Sequence, residues 1–188
     1  MYYLWKRKFS DKKQSFSCGL TNGFTRSKGY MWQIKGIDKK IEAPLKYEAM
    51  NNLTPGDFPI VNSGKEFFLI SDRVKEVLGQ FNRTIQFFPS EIIKKNGEVV
   101  TGYSTANILD RVACADLEAS EHEYDDLFES YFFDSLRLDH EKIPEGTKIF
   151  WLKEDPVLLI VHQDVADALE ELSISDVHLM PVEEYAGV

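Results

Sequence analysis

One structural pattern occurs twice in this chain of 188 residues and limits its fold more than any other feature. The first copy begins with FPIVNSGKEFFLI at residues 58–70, and the second begins with IFWLKEDPVLLIV at residues 149–161. Each predicts a strand, a tight turn and a second strand, because Asn, Ser, Gly, Asp and Pro supply the backbone conformations that turns need. Each second strand is a continuous apolar run, which suits a strand covered on both faces.

A helix is predicted directly after each hairpin. Apolar residues recur at i, i+3, i+4 and i+7 from Val74 in the first copy and from Val165 in the second, which forms one stripe along an α-helix. Ser71 is predicted to cap the first helix, because its hydroxyl can accept a hydrogen bond from an unpaired backbone N–H. The matching residue of the second copy is His162, a poorer cap, and Asp164 is the alternative.

Each copy closes with an alternating strand that ends in proline, at Pro89 and at Pro181, and the alternation predicts one buried and one exposed face. The predicted fold class is therefore α+β, with mixed sheets, packed helices and two similar β-hairpin–helix–strand units. We expect one domain over residues 1–188, with halves at 1–100 and 101–188 if the repeat is a duplication. Few identities survive between the copies, so coincidence of common elements stays open as the alternative.

The remaining segments give weaker signals. MYYLW at the start predicts a first strand, and YMWQIKGI at residues 30–37 is read as a further strand. Residues 9–30 are rich in Ser, Gly, Lys and Asn and are predicted to form a loop. Residues 44–59 contain three prolines and one glycine and are predicted to be irregular.

Charge is distributed unevenly along the chain. Residues 1–48 contain 11 Lys and Arg against 4 Asp and Glu, residues 49–111 contain 7 of each, and residues 112–188 contain 4 against 20. An acidic third of this kind either promotes solubility or offers a binding surface to a basic partner. It argues against nucleic acid as a direct ligand, because the phosphate backbone requires positive charge.

The chain carries no signal of export or of membrane insertion. Its start has no apolar run of signal-peptide length, and the longest apolar run spans only residues 157–161, which is far too short to cross a bilayer. The two cysteines, Cys18 and Cys114, are too few for a disulfide framework. We therefore expect a cytoplasmic protein in a reducing compartment, without a membrane partner.

An acidic tract, ADLEASEHEYDDLFESYFF, follows the middle of the chain. It contains seven carboxylates between Asp116 and Glu129 and no Lys or Arg there. Tyr124, Leu127, Phe128, Tyr131 and Phe132 are spaced at i, i+3, i+4, i+7 and i+8, which predicts an amphipathic helix over residues 120–133 with an aromatic buried side. Glu121, Asp125 and Glu129 would then line its outer side, where they repel one another weakly and would gain if cations arrived.

A metal site in this tract is disfavoured. HEYDD resembles the zinc-protease motif H-E-x-x-H, but its fifth residue is Asp126, so the second imidazole is absent. His122 and Asp126 could touch one ion, yet the sequence shows no third ligand. The spacing of a calcium loop is also absent, and no metal or other cofactor is predicted.

Signatures of catalysis are also missing. Lys65 follows a glycine but is not followed by Ser or Thr, so no phosphate-binding loop is formed. Cys114 could in principle pair with a histidine, but it lies in the apolar stretch RVACADL, where a thiol usually acts as a small hydrophobic residue. The sequence therefore predicts a protein that is not an enzyme, although an enzyme outside the known motifs stays open as a third reading.

Three segments together resemble the immunity protein 11 family, bacterial proteins associated with polymorphic toxin systems. They are FPIVNSGKEFFLISDRVKEVL, ANILDRVACADLEASEHEYD and IFWLKEDPVLLIVHQDVADALEELSISDVHLMPVE. The order of the family's elements is followed over residues 58–184, including its acidic SE-x-E segment, here Ser120 to Glu123. Only the opening MYYLW matches in the first 57 residues, and His162 stands where the family usually has serine.

The resemblance implies an immunity protein, or antitoxin, that binds and blocks a cognate toxin, and toxins paired with this family are often nucleases. The implied mechanism is steric and electrostatic blockade by an acidic surface, without turnover. The expected contact residues are Asp116, Glu118, Glu121, Glu123, Tyr124, Asp125 and Asp126, with Tyr124 or Tyr131 as the aromatic anchor. The alternatives are that the tract is simply a solvated face, or that the chain is a small-ligand-binding or regulatory domain with a pocket between its halves.

Overall fold

The structure, a computed structural model, describes residues 1–7, 16–21, 44–61, 68–81, 84–174 and 177–187. These residues form thirteen strands and two α-helices. The chain divides into two compact units. The middle unit comprises Lys8–Leu109 and Leu172–Asp176, and the terminal unit comprises Met1–Arg7, Asp110–Glu171 and Val177–Val188. Neither helix of the described residues combines the length and the apolar character that a membrane span requires.

The middle unit contains a six-stranded mixed sheet with the order β4-β2-β3-β6-β7-β5 and one helix, α1. Its elements are β2 (Ser17–Leu20), β3 (Leu45–Ala49), β4 (Ile60–Val61), β5 (Phe68–Ser71), α1 (Asp72–Phe81), β6 (Ile85–Ile93) and β7 (Val99–Ile108). The buried side of α1 carries Val74, Val77 and Leu78, as the spacing predicted. The hydroxyl of Ser71 accepts a hydrogen bond from the N–H of Val74 at 3.4 Å, which confirms the predicted cap.

The terminal unit contains a five-stranded sheet with the order β13-β1-β12-β11-β8, a separate two-stranded sheet and one helix, α2. Its elements are β1 (Tyr2–Arg7), β8 (Arg111–Val112), β9 (Glu121–Asp125), β10 (Ser130–Ser135), β11 (Ile149–Leu152), β12 (Leu159–His162), α2 (Gln163–Glu171) and β13 (Val177–Pro181). Leu4, Phe150, Leu152 and Ile160 pack with Cys114 and Leu136 into its core. The burial of Leu159, Ile160 and Val161 in β12 agrees with the apolar run predicted for the second strand of this copy.

The two copies of the repeated pattern share a strand–helix–strand arrangement. In the first, β5 and β6 flank β7 and both run antiparallel to it. In the second, β12 and β13 flank β1 in the same way. The hairpin of the second copy is confirmed, because β11 and β12 pair antiparallel. The hairpin predicted in the first copy is wrong for the described strands, because β4 pairs with β2 and β5 pairs with β7 at the other end of the sheet order. The turn predicted between them lies outside the described residues. The α+β class is confirmed at the level of mixed sheets and packed helices, whereas the duplication and the single-domain assignment stay predictions.

Two of the weaker predictions are wrong, and the predicted strand at residues 30–37 lies outside the described residues. Ser17–Leu20 is a strand inside the predicted loop, and Leu45–Ala49 is a strand inside the segment predicted to be irregular. Leu45 and Tyr47 are buried and alternate with exposed Lys46 and Glu48. This alternation, together with parallel pairing to β6, outweighs the local density of prolines.

Candidate functional site

The acidic tract forms a β-hairpin, so the predicted amphipathic helix over residues 120–133 is wrong. Strands β9 and β10 pair antiparallel, with Tyr131 opposite Tyr124 and Phe133 opposite His122. The sequence satisfies both periodicities, but Tyr and Phe favour strands, and a helix would stack carboxylates four residues apart. The strand pattern, in which side chains alternate with a period of two, is favoured over the helix. It places Phe133, which is only 4% exposed, in the core of the terminal unit.

One face of the hairpin is a row of aromatic rings. The rings of Tyr124 and Tyr131 meet edge to face with centroids 4.9 Å apart, and the rings of His122 and Tyr131 do so at 5.1 Å. Exposure rises along this row, from buried Phe133 through half-buried Tyr131 to Tyr124, which is 52% exposed. Tyr124 is therefore not part of a buried aromatic side, and of the two predicted anchors it is the more accessible.

The opposite face carries the carboxylates of β9. Glu121, Glu123 and Asp125 alternate with His122 and Tyr124, so their side chains project from the same side of the strand. Glu121 and Glu123 are exposed and Asp125 is half-buried. Phe132 lies opposite Glu123 across the hairpin and is 52% exposed. This face therefore presents negative charge next to an aromatic ring.

The turn of the hairpin, residues 126–129, is organised by the side chain of Asp125. Its Oδ1 atom accepts hydrogen bonds from the N–H groups of Leu127 at 2.8 Å and Phe128 at 3.1 Å. Glu129 closes the turn with a φ of 48°, in the left-handed region. Leu127 is 82% exposed and Phe128 is 67% exposed. Both residues were predicted to lie on the buried face of a helix, so their exposure was not predicted. The sequence signal for this turn is Asp125 itself, because an Asp side chain can accept a hydrogen bond from the backbone N–H two residues on and form an Asx turn.

A second turn, before β9, is held in the same way. Oδ1 of Asp116 accepts hydrogen bonds from the N–H groups of Glu118 at 3.1 Å and Ala119 at 3.2 Å. Asp116 and Asp125 therefore have structural roles within the predicted contact set. Glu118 and Asp126 are exposed, like Glu121 and Glu123. The structure places all seven predicted contact residues in this hairpin and the turn before it; whether they contact a partner stays a prediction.

Hydrogen bonds attach the hairpin to the rest of the terminal unit. The N–H of Tyr131 donates to the carbonyl of Glu154 at 2.8 Å, between β11 and β12. The hydroxyl of Ser120 accepts from the N–H of Arg137 at 2.9 Å, and the guanidinium of Arg137 donates to the carbonyl of Glu183 at 3.2 Å. Because both ends are held and Phe133 is buried, the hairpin presents its turn in a defined position.

An open depression of about 580 Å³ lies beside the turn that precedes β9. Asp116, Glu118, Asp139 and Glu154 line it together with Lys142. The hydrogen bond from Lys142, at 3.0 Å, lowers the pKa of Asp139. Oε1 of Glu154 accepts from the N–H of Ala115 at 3.2 Å, whereas its buried Oε2 has no hydrogen-bond partner among the described residues. Four carboxylates against one ammonium group give the depression a net negative charge. Asp139 and Glu154 were not predicted from the sequence, because they lie far along the chain from the acidic tract.

His122, a candidate metal ligand, and Cys114, a candidate catalytic thiol, both have structural contacts. Nδ1 of His122 lies 3.2 Å from the carbonyl of Ser120, and its ring packs on Tyr131. In the part of the chain that the structure describes, no cluster of three or more His, Cys, Asp or Glu could hold a metal ion. Burial, reinforced by the charges of Glu154 and Asp139, raises the pKa of the Cys114 thiol to about 12. A thiol in that state is protonated near neutral pH and is a poor nucleophile.

Comparison with known proteins assigns the chain to a family. No curated protein matches it in sequence. Residues 29–184 match the family described as Immunity protein family (Imm11). The match covers most of the 188 residues, including both copies of the repeated pattern and the whole hairpin. The resemblance noted from the sequence is thereby confirmed: the chain belongs to the Immunity protein family (Imm11), which implies an immunity protein against a toxin.

Proposed function

We propose that this protein neutralises a nuclease toxin by covering its positively charged substrate groove with the acidic hairpin surface. We define this surface by nine exposed residues of the hairpin and of the turn before it: Glu118, Glu121, Glu123, Tyr124, Asp126, Leu127, Phe128, Glu129 and Phe132. Membership of the immunity family supports a toxin as the partner. A nuclease is favoured because its groove must attract phosphate and is therefore rich in Lys and Arg.

The observation that carries the proposal is the concentration of carboxylates outside ion pairs on the hairpin and the turn before it. Residues 116–129 contain seven carboxylates and no Lys or Arg. Among the described residues, none of these carboxylates takes part in an ion pair. Carboxylates that are not in ion pairs remain available to attract a basic partner. Complementary charge of this kind speeds association and excludes neutral or acidic partners.

The proposed mechanism is occupation of the groove, without any reaction. The hairpin stands in for the negatively charged substrate, and the acidic depression beside it accepts a Lys or Arg side chain from the groove's edge. The complex forms in the bacterial cytoplasm, where the nucleic acid of the producing cell needs protection. Inhibition is therefore stoichiometric, and toxin released from the complex regains its activity.

The experiment that tests this function uses the cognate toxin with the full-length chain. Purified toxin is titrated with this protein while nuclease activity is followed, and cell survival is scored on co-expression. We expect complete inhibition at a fixed molar ratio, weakened by the double substitution Glu121→Gln and Glu123→Gln. The matched control is Glu170→Gln with Glu171→Gln, which removes the same charge from exposed positions at the end of α2. Complete inhibition by this protein at far less than one molecule per toxin molecule would contradict the proposal. Equal loss of inhibition in the two double variants would also contradict it.

A further inference from the structure

The tip of the hairpin consists of apolar side chains held away from the core. We propose that Leu127 and Phe128 enter an apolar pocket of the toxin whose rim carries Lys or Arg, so that the tip anchors the complex. This inference rests on the proposed function and adds which residues hold the partner and what receives them.

Leu127 and Phe128 have little role in the fold of this chain. With 82% and 67% of their surfaces exposed, they bury little against the core. Tight turns are usually built from Gly, Asn, Asp, Ser and Pro, which suit both the backbone and the solvent. Single exposed apolar residues are ordinary, but two in succession at the tip of a projecting hairpin contribute little to folding and reduce solubility. Residues that depart from the usual composition of a turn without stabilising the fold are expected at functional positions.

The tip is already shaped for insertion before any partner arrives. Oδ1 of Asp125 accepts hydrogen bonds from the backbone N–H groups of Leu127 and Phe128. The backbone of Glu129 adopts a left-handed conformation, with a φ of 48°, that residues other than glycine rarely adopt. Strain of this kind persists where the surroundings enforce it and is concentrated at functional sites. Because the turn is fixed, little conformational entropy remains to be lost on binding.

The charges around the tip indicate the chemistry of its partner. Asp125, Asp126 and Glu129 flank the apolar pair, and Glu123 stands beside exposed Phe132 on the strands behind it. An apolar centre with a charged rim is the usual anatomy of a protein–protein contact. The carboxylates around the tip repel an anionic membrane surface. They also repel a second hairpin of the same kind, because both contacts would bring like charges together. A protein pocket with an apolar floor and a basic rim fits both parts of the tip.

The two parts make separable contributions to the kinetics. Long-range attraction between the hairpin's carboxylates and the toxin mainly governs the association rate, whereas close packing of Leu127 and Phe128 mainly governs the dissociation rate. The test is surface-plasmon measurement on the cognate toxin of wild type, a tip variant (Leu127→Ser with Phe128→Ser) and the charge variant (Glu121→Gln with Glu123→Gln). The control is Val99→Ser with Val157→Ser, two other positions that are each 51% exposed.

We expect the tip variant to dissociate faster by on the order of tenfold or more, with its association rate changed less than about twofold. The charge variant should associate more slowly, and the control should resemble wild type. If the tip variant dissociates like wild type while the charge variant associates slowly, the inference fails and the proposed function stands. If neither variant differs from the control, both fail. Should the tip double variant not fold by circular dichroism, Leu127→Ala and Phe128→Ala alone are measured against the same criterion.

Other occupants of the tip are tested with the chain alone. Sedimentation of wild type and of the tip variant over a range of concentrations reports self-association, and flotation with vesicles of zwitterionic or anionic lipid reports membrane binding. We expect a concentration-independent mass and no flotation for either protein. A dimer or vesicle binding that the tip variant abolishes would assign the tip to that occupant and overturn the inference.

Discussion

Asp125 accepts a hydrogen bond from the backbone N–H of Leu127, with 2.8 Å between Oδ1 and the nitrogen. The same oxygen accepts from Phe128, so one carboxylate both shapes the tip and adds to its charge. Asparagine retains the acceptor without the charge, and alanine retains neither. This position can therefore separate the geometry of the hairpin from its electrostatics.

We expect Asp125→Asn to slow association with the toxin while leaving dissociation nearly unchanged. Asp125→Ala should in addition speed dissociation several-fold, because the free tip must then be ordered at each binding event. Stopped-flow association and dissociation by competition would measure the two rates. Identical dissociation rates for the Asn and Ala variants would show that the shape of the turn does not matter to the complex.

The carboxylates of the hairpin should make association sensitive to salt. We expect the association rate of wild type to fall as ionic strength rises, because screening shortens the reach of the surface charges. For Glu121→Gln with Glu123→Gln the rate should start lower and fall less steeply. Glu170→Gln with Glu171→Gln, the control at the end of α2, should retain a slope closer to that of wild type. Equal slopes in all three proteins would remove the hairpin from the electrostatic account.

Both cysteines should be inert in the folded protein. Cys18 and Cys114 are fully buried, and burial together with nearby carboxylates raises the pKa of Cys114 to about 12. At pH 8 the native chain should therefore not react with a maleimide, and both thiols should react after denaturation. The variant Cys18→Ala isolates the signal of Cys114. Rapid labelling of Cys114 in that native variant would show that its side chain is accessible to solvent.

The middle unit should lose stability at alkaline pH through Tyr47. Its hydroxyl is hydrogen-bonded to Thr105 at 2.7 Å, and Thr105 is bonded to Ser90 at 2.8 Å, all within the core. Burial raises the pKa of Tyr47 well above the ordinary value of 10.0. The folded state therefore holds this proton more tightly than the unfolded state does, so the stabilisation is complete below pH 10 and decreases as the pH rises further.

Replacement of Tyr47 by Phe should consequently cost about 1 kcal/mol in the free energy of unfolding at pH 7, from the lost hydrogen bond. The difference from wild type should shrink above pH 10, because the variant has no phenol to ionise. Urea unfolding at the two pH values would measure it, with Tyr124→Phe as the exposed control. A difference that stays constant or grows with pH would contradict this role for Tyr47.

The sequence predicted the elements in which local pattern and tertiary context agree. Ser71, the stripe from Val74 and the apolar run of β12 each favour one structure for reasons that lie within a few residues, and each has that structure. Strand β3 was missed because its formation depends on pairing with β6, 45 residues away. Non-local pairing of this kind leaves little trace in a short window of sequence.

The candidate site shows the same limit more clearly. The spacing of Tyr124, Leu127, Phe128 and Tyr131 fits a helix as well as it fits the observed hairpin. Burial of Phe133 and the hydrogen bond from Tyr131 to Glu154 favour the hairpin, and neither partner is evident from the local sequence. The acidic character of the segment was predictable, because it depends only on composition. The exposed apolar tip was not, because it depends on which periodicity the segment adopts.

Hydrogen exchange of the chain with and without its cognate toxin tests the central claim most directly. The account predicts slower amide exchange across residues 116–135 in the complex, strongest at residues 125–130, with α2 at residues 163–171 unchanged. Protection confined to the strands of the middle unit, with residues 116–135 exchanging as in the free protein, would contradict the claim that the acidic hairpin holds the toxin.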